Sequence, residues 1–106
     1  MPWIPTLPPT ALADEGVAGA VAGKVRVALY QVDDAFYATA LMCTHGQASL
    51  ADGYLDGCLI ECPLHQGTFD VRTGAPMSEP CTEAVRSFPT KLEDGLIHVL
   101  VNDDEV

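Results

Sequence analysis

Basic residues are scarce in this chain of 106 residues, which carries 5 Lys and Arg against 15 Asp and Glu, a formal net charge of -10. No lysine or arginine lies between Val27 and Val71, where acidic residues recur. Nucleic acid is therefore not an expected partner, because phosphate contacts need a basic patch. An anionic membrane would also repel this surface. The acidity either serves solubility alone or steers association with a partner that bears a basic patch.

Long apolar runs and nucleotide-binding motifs are absent as well. No segment approaches the roughly 20 apolar residues of a membrane-spanning helix. The N-terminal segment 1–10 has no basic residue ahead of its apolar part, so it does not resemble a secretory signal. Gly-x-Gly-x-x-Gly is missing, so no nucleotide-binding signal is present. We expect a cytoplasmic protein with one domain, 1–106, since a chain of this length supports one modest core.

Helix signals are weak, and strand signals dominate. Segment 11–23 favours at most a short helical turn, because glycines interrupt it. Short runs of β-branched, aromatic and other apolar residues alternate with Gly, Pro and Asp, which predicts an all-β fold of small antiparallel sheets in a sandwich or barrel. The acidic tail 102–106 is expected to fray. Strands are expected at 24–31, 35–40, 58–61, 67–71, 85–92 and 96–101, with turns at 33–34 and 93–95.

Cysteine and histidine occur in two mixed pairs. Cys43 and His45 form C-x-H, Cys62 and His65 form C-x-x-H, and 16 residues separate the pairs. Four cysteines permit two disulfides, but a reducing cytosol disfavours them, and cysteine next to histidine indicates a metal site. Two thiolates and two imidazoles would satisfy tetrahedral Zn²⁺. The usual zinc pattern, however, keeps like residues together, whereas mixed pairs suit two metal ions that each take like ligands from both loops.

The paired motif is similar to the signature of the Rieske iron-sulfur family. Around it, ALYQVDDAFYATALMCTHG, DGYLDGCLIECPLHQGTFDVRTG and GAPMSEPC resemble the small Rieske ferredoxins of bacterial aromatic-ring dioxygenase systems. The resemblance covers about 25–101. It implies the Rieske fold and one [2Fe-2S] cluster, with Cys43 and Cys62 on one iron and His45 and His65 on the other.

The resemblance implies an electron carrier rather than an enzyme. A flavin-dependent NAD(P)H reductase would reduce the cluster, and a terminal oxygenase would receive one electron at a time. The histidines would face solvent, with Leu64, Gln66 and Pro76 as an apolar docking rim, and a monomer suits such a shuttle. Two alternatives stay open: a Rieske-like small subunit of another oxidoreductase, such as a nitrite reductase, and a zinc-stabilised interaction module.

Neutral imidazoles in place of two thiolates raise the potential into a window of about −150 to +300 mV. High-potential relatives carry an extra disulfide at positions that look like Ala48 and Leu64, and hydroxyl donors at positions that look like Gly67 and Phe69. This chain has neither feature. Because hydrogen bonds onto sulfur stabilise the reduced cluster, we expect a potential in the low part of the window.

The sequence also supports predictions for several residues near the motif. Gly46 and Gly67 could let backbone amides approach the cluster. Segment 74–80 resembles the family's proline loop, which covers one side of the cluster. Cys58 is expected to be a small strand or core residue, Cys81 a free thiol and His98 an ordinary sheet histidine.

Overall fold

The computed structural model describes residues 1–44, 46–64, 66–79 and 81–106. Over these ranges the regular structure is ten strands and three short 3-10 turns, with no helix long and apolar enough to cross a bilayer. The prediction of an all-β fold is confirmed. The strands are β1 Trp3–Pro5, β2 Val17–Ala22, β3 Val25–Val32, β4 Ala35–Ala40, β5 Tyr54–Asp56, β6 Leu59–Glu61, β7 Thr68–Asp70, β8 Ser87–Phe88, β9 Thr90–Glu93 and β10 Leu96–Leu100; the 3-10 turns are Pro9–Leu12, Leu50–Asp52 and Asp103–Glu105.

The described strands form three antiparallel sheets. One has four strands in the order β2-β3-β4-β8, and two have three strands each, β1-β10-β9 and β5-β6-β7. In the last sheet Glu61 pairs with Thr68, so the chain segment between β6 and β7 projects from the end of a hairpin. Cys62, the first residue of the C-x-x-H motif, begins that projecting segment and so lies at the end of the hairpin.

Strand β3 is central because it supplies residues to both hydrophobic cores. Val27 and Leu29 point into the core shared with β10, whereas Ala28 and Tyr30 point into the core shared with the motif-bearing loops. All four are fully buried, as expected for a strand covered on both faces. The Tyr30 hydroxyl hydrogen-bonds the Thr39 hydroxyl at 2.8 Å, which satisfies both groups inside the protein. Because successive side chains of β3 point to opposite faces, this one strand connects the two hydrophobic cores.

The strand assignment differs from the sequence-based expectation: strands β1, β2 and β5 were not predicted, and one predicted strand is divided in two. Segment 11–23, expected to hold at most a helical turn, contains strand β2, because its edge position beside β3 tolerates small residues such as Gly19. The expected single strand 85–92 is two strands in different sheets: β8 pairs with β4, and β9 pairs with β10. Pro89 lies between them and lacks the N–H that a continuous ladder would need.

The expectation of a frayed tail at 102–106 was wrong. Arg86 donates two hydrogen bonds to the Glu105 carboxylate, at 2.6 and 2.7 Å. The Lys24 amide donates to the Glu105 carbonyl at 2.7 Å, which fixes the tail beside the β2–β3 turn. The Arg86 hydrogen bonds, together with that from the Asn102 amide, lower the pKa of Glu105 to about 2, so the carboxylate stays charged at neutral pH. A distant arginine therefore orders a segment whose own composition favours fraying.

Candidate metal centre

The first motif-bearing loop, called loop 1 here, comprises residues 43–48. It follows β4, and the Cys43 amide donates to the Ala48 carbonyl at 2.9 Å across its base. The Leu50 amide donates to the Leu41 carbonyl at 2.8 Å, next to that hydrogen bond, so the two ends of the loop are paired as in a short hairpin. Cys43 is 5% exposed, which places its thiol inside the protein rather than at the loop tip.

Loop 2 comprises residues 62–67 and joins β6 to β7. The Cys62 amide donates to the Gly67 carbonyl at 2.8 Å and continues the strand pairing by one step. The Gln66 amide donates back to the Cys62 carbonyl at 3.1 Å, and Gln66 takes a φ of 62°, which makes the turn tight. Cys62 is 1% exposed. Both loops therefore bury their cysteine at the base of a closed turn.

His45 and His65 lie outside the described residues. Their neighbours Thr44, Gly46, Leu64 and Gln66 are described, and the two loops come close together: a Cβ built on Gly46 would lie 3.6 Å from Leu64 Cδ1. That distance is ordinary van der Waals contact, so crowding does not require glycine at position 46. The two loops thus lie side by side, and the assignment of the histidines as ligands stays a prediction.

A third thiol, Cys81, brings the two loop cysteines into one neighbourhood. Cys81 is 5% exposed, and burial raises its pKa to about 11, aided by the charge of Cys43, a hydrogen bond with Cys43 and the charge of Cys62. One thiol therefore interacts with both loop cysteines. Only a free thiol was expected at Cys81 from the sequence, because its proximity depends on the chain returning to the loops 19 residues after Cys62.

Gly67 is required by Cys81. A Cβ at position 67 would lie 2.4 Å from Cys81 Sγ, a distance that real side chains do not show, and 3.1 Å from the Cys81 amide nitrogen, which is tighter than most real contacts. The expectation that Gly67 admits backbone close to a ligand therefore needs an addition: the described neighbour that excludes a side chain is a cysteine. Because Gly67 accepts the Cys62 amide, Cys81 also packs against the closing hydrogen bond of loop 2.

The described donors suit a metal group that takes thiolates from two loops. Cys43 and Cys62 are nearly inaccessible to solvent, come from separate loops and interact with a common neighbour. Thiolate is the form that binds metal, and burial at such a site is stable when a cation compensates the charge. The comparison with family models agrees: residues 2–89 match the model described as the Rieske [2Fe-2S] domain.

This chain belongs to the Rieske [2Fe-2S] family. It is 42% identical over 92 residues to the ferredoxin component of the naphthalene 1,2-dioxygenase system of Pseudomonas putida, a match that covers 87% of this chain and 88% of that protein. The structure of Sphingomonas yanoikuyae B1 ferredoxin superposes with a TM-score of 0.89 at 34% identity, covering 95% of this chain and 100% of the other.

A further solved structure is titled a complex of reduced oxygenase and oxidised ferredoxin in carbazole 1,9a-dioxygenase. Its matching chain has a TM-score of 0.82 at 40% identity and covers 92% of this chain and 91% of that one. These likenesses confirm the prediction of a Rieske ferredoxin of the aromatic-dioxygenase type, an electron carrier with one [2Fe-2S] cluster rather than an enzyme. They favour it over the zinc-stabilised module and the small subunit of another oxidoreductase.

In this Rieske ferredoxin a third loop, residues 74–83, lies against both motif-bearing loops. The Met77 amide donates to the Thr68 carbonyl at 2.8 Å, and Ser78 Oγ accepts from the Thr68 amide at 3.0 Å, immediately beyond loop 2. Thr44 Oγ1, in loop 1, donates to the Glu83 carbonyl at 2.7 Å. The segment that resembled a proline loop, 74–80, is therefore bonded to the first residue of β7 beside loop 2, and loop 1 is bonded to Glu83, three residues beyond that segment.

Thr44→Val is expected to shorten the lifetime of the loaded ferredoxin several-fold. The change keeps the side-chain shape and removes the hydrogen bond to Glu83, worth about 1 kcal/mol, which joins loop 1 to the third loop. The measurement is the decay of visible absorption at a fixed elevated temperature. Thr82→Val is the matched control, since Thr82 is exposed and its hydroxyl has no hydrogen-bond partner in the described part of the chain. Equal decay of the two variants would contradict the role of Thr44.

Proposed function

We propose that Cys43, His45, Cys62 and His65 bind the [2Fe-2S] cluster and that this ferredoxin, a single-domain cytoplasmic monomer, carries electrons from a flavin-dependent NAD(P)H reductase to a terminal oxygenase. When bound, the cluster supplies a group that accepts one electron and gives it up again. The observation that best supports this proposal is that two buried cysteines on separate loops share the neighbour Cys81 within a Rieske fold.

Exposed apolar side chains at the loop tips support docking at this end. Leu64, next to His65, is 55% exposed, and Met77, in the third loop, is 54% exposed. Methionine and leucine at a surface tolerate re-packing against more than one partner, which suits a carrier that meets a reductase and an oxygenase in turn. The ferredoxin in the carbazole dioxygenase structure is captured in a complex with its oxygenase, which supports an oxygenase as one partner here.

The charge around loop 2 favours partners with a basic surface. A surface cavity of about 240 Å³ opens beside Cys62 and is lined by Asp52, Tyr54, Glu61 and Gln66. The whole chain carries a formal net charge of -10. Opposite charge on a partner would raise the rate of encounter and orient this end of the ferredoxin, with little contribution from each exposed pair to affinity.

Reconstituted turnover tests the proposed function. Purified reductase and oxygenase of an aromatic-dioxygenase system are assayed with NAD(P)H, with and without the loaded ferredoxin. We expect product formation to depend on the ferredoxin and its rate to fall as salt rises, because exposed charges are screened beyond about 10 Å at 0.1 M salt. Turnover that is equally fast without the ferredoxin would contradict the proposal, and a rate independent of salt would leave the acidity to solubility.

Leu64→Ala is expected to raise the KM for ferredoxin in the oxygenase assay about three- to tenfold, with the reduction potential unchanged. The change removes an exposed apolar side chain from the proposed docking end, and interface truncations of this kind cost about 1 kcal/mol or more. Leu92→Ala is the matched control, because Leu92 is 53% exposed but lies in β9, in a sheet that does not bear the loops. A similar KM for both variants would place the docking surface elsewhere.

A further inference from the structure

The space beside Gly67 is occupied by the sulfur of Cys81. A side chain at position 67 would have to occupy the place of this sulfur, since a Cβ there would be 2.4 Å from it. The structure therefore places a thiol from the third loop directly against loop 2.

Cys81 is held in this place by several independent contacts. Its amide donates to the Ser78 carbonyl at 3.1 Å, and Ser78 is itself hydrogen-bonded to Thr68 beyond loop 2. The side chain is 5% exposed and packs in the same core as Cys43, Cys62 and Phe69. A buried side chain with a fixed backbone has little rotational freedom, so its sulfur keeps a defined position relative to the loop cysteines.

We propose that Cys81 is a positioning residue of the redox centre, whose S–H donates a hydrogen bond to the sulfur of Cys43 and so favours the reduced state. The proposal rests on the ligand set given above, in which Cys43 is a thiolate and Cys81 is not a ligand. In that arrangement Cys43 can only accept a hydrogen bond, and Cys81, the buried cysteine outside the motif, is the thiol that donates.

The direction of the effect follows from charge. Reduction adds one negative charge to the centre, and a donor aimed at a ligand sulfur stabilises the more negative state more than the oxidised state. Because S–H is a weak donor, the effect should be smaller than that of a hydroxyl. The chain would thus remain in the low part of the Rieske range while lying above a variant that lacks the thiol.

Two substitutions at position 81 measure this contribution in the loaded protein. Cys81→Ala should make reduction three- to tenfold less favourable, which at 59 mV per tenfold for one electron is a midpoint potential lower by about 30–60 mV. Cys81→Ser keeps a donor and should restore the parent potential or exceed it. Cys58→Ala is the matched control, because Cys58 is half-buried at the β5–β6 turn, beside Arg72, and should leave the potential unchanged.

Infrared spectroscopy gives a readout that packing alone would not change. In Cys58→Ala protein, with Cys43 and Cys62 as thiolates, Cys81 holds the remaining S–H. Its stretching band should move to lower frequency on reduction, because the accepting sulfur becomes more negative. The band should vanish in the Cys58→Ala, Cys81→Ala double variant when that variant is loaded. This measurement decides the matter even if the Cys81→Ala substitution prevents loading.

An unchanged potential in loaded Cys81→Ala protein, or an S–H band that does not move on reduction, would overturn the role of Cys81. Either result would leave the ligand set intact. Retention of the cluster by Cys43→Ala protein would instead overturn the ligand set on which the role of Cys81 depends. Iron and acid-labile sulfide analysis of each variant separates the two failures.

Discussion

Cys62→Ala protein is expected to fold into a colourless form with at least about tenfold less iron and acid-labile sulfide than the parent. Cys62 is 1% exposed, and its amide closes loop 2 through a hydrogen bond to Gly67. Water therefore cannot readily reach the site to replace the missing thiolate as a ligand. Loss of even an outer-shell partner typically costs about 10–100-fold in metal affinity, and loss of a ligand should cost more. Iron and sulfide content, visible absorption and the EPR spectrum of the reduced sample measure the effect.

Cys58→Ala is the matched control for this experiment. It makes the same chemical change four residues earlier, at a half-buried position outside both loops. We expect full iron and sulfide content and an unchanged EPR spectrum. A Cys62→Ala sample that keeps the parent spectrum and metal content would show that Cys62 is not a ligand, and the C-x-x-H half of the proposed site would then have to be abandoned.

Gly74→Ala is expected to lower the thermal transition of the loaded protein by about 10–20 °C. Gly74 begins the third loop with a φ of 82°, and a Cβ there would lie 1.9 Å from the Val85 carbonyl oxygen. The left-handed conformation costs about 1–2 kcal/mol for a residue with a Cβ, and forcing atoms into a packed site adds about 1–3 kcal/mol. A domain of this size lies at the low end of the usual range, about 4 °C per kcal/mol, so a total of about 2–5 kcal/mol corresponds to about 10–20 °C. Circular dichroism and the loss of visible absorption follow the transition.

Gly57→Ala separates backbone strain from crowding. Gly57 also takes a positive φ, 60°, but a Cβ there would meet nothing within 4 Å. We expect a loss of about 4–8 °C, the share due to conformation alone. Both variants are heated at one scan rate, because loss of a cluster makes the transition irreversible. Equal losses would show that the contact with Val85 does not fix the third loop.

The sequence predicts the candidate site because the proposed ligands of each loop lie close together in the chain. Two residues in C-x-H and two in C-x-x-H specify ligand types and a pair of loops, whatever fold surrounds them. The core strands were likewise predicted well, since β3 and β4 each contain their own run of strand-forming residues. The turn between them contains Asp33, whose φ is 54°. Local patterns of this kind need no knowledge of distant partners.

The tertiary structure decided features whose causes are far apart in the chain. Strand β2 depends on pairing with β3, and the tail depends on Arg86, 19 residues before Glu105. Cys81 acquired its place because the third loop folds back onto loop 2, where Gly67 leaves room for its sulfur. The amino-acid sequence by itself determined that cysteine and histidine occur in two closely spaced pairs, and it predicts that these pairs form the donor set. Which thiol lies beside Cys43 was decided by packing, because a hydrogen bond depends on distance and direction, and the spacing of residues along the chain fixes neither across loops.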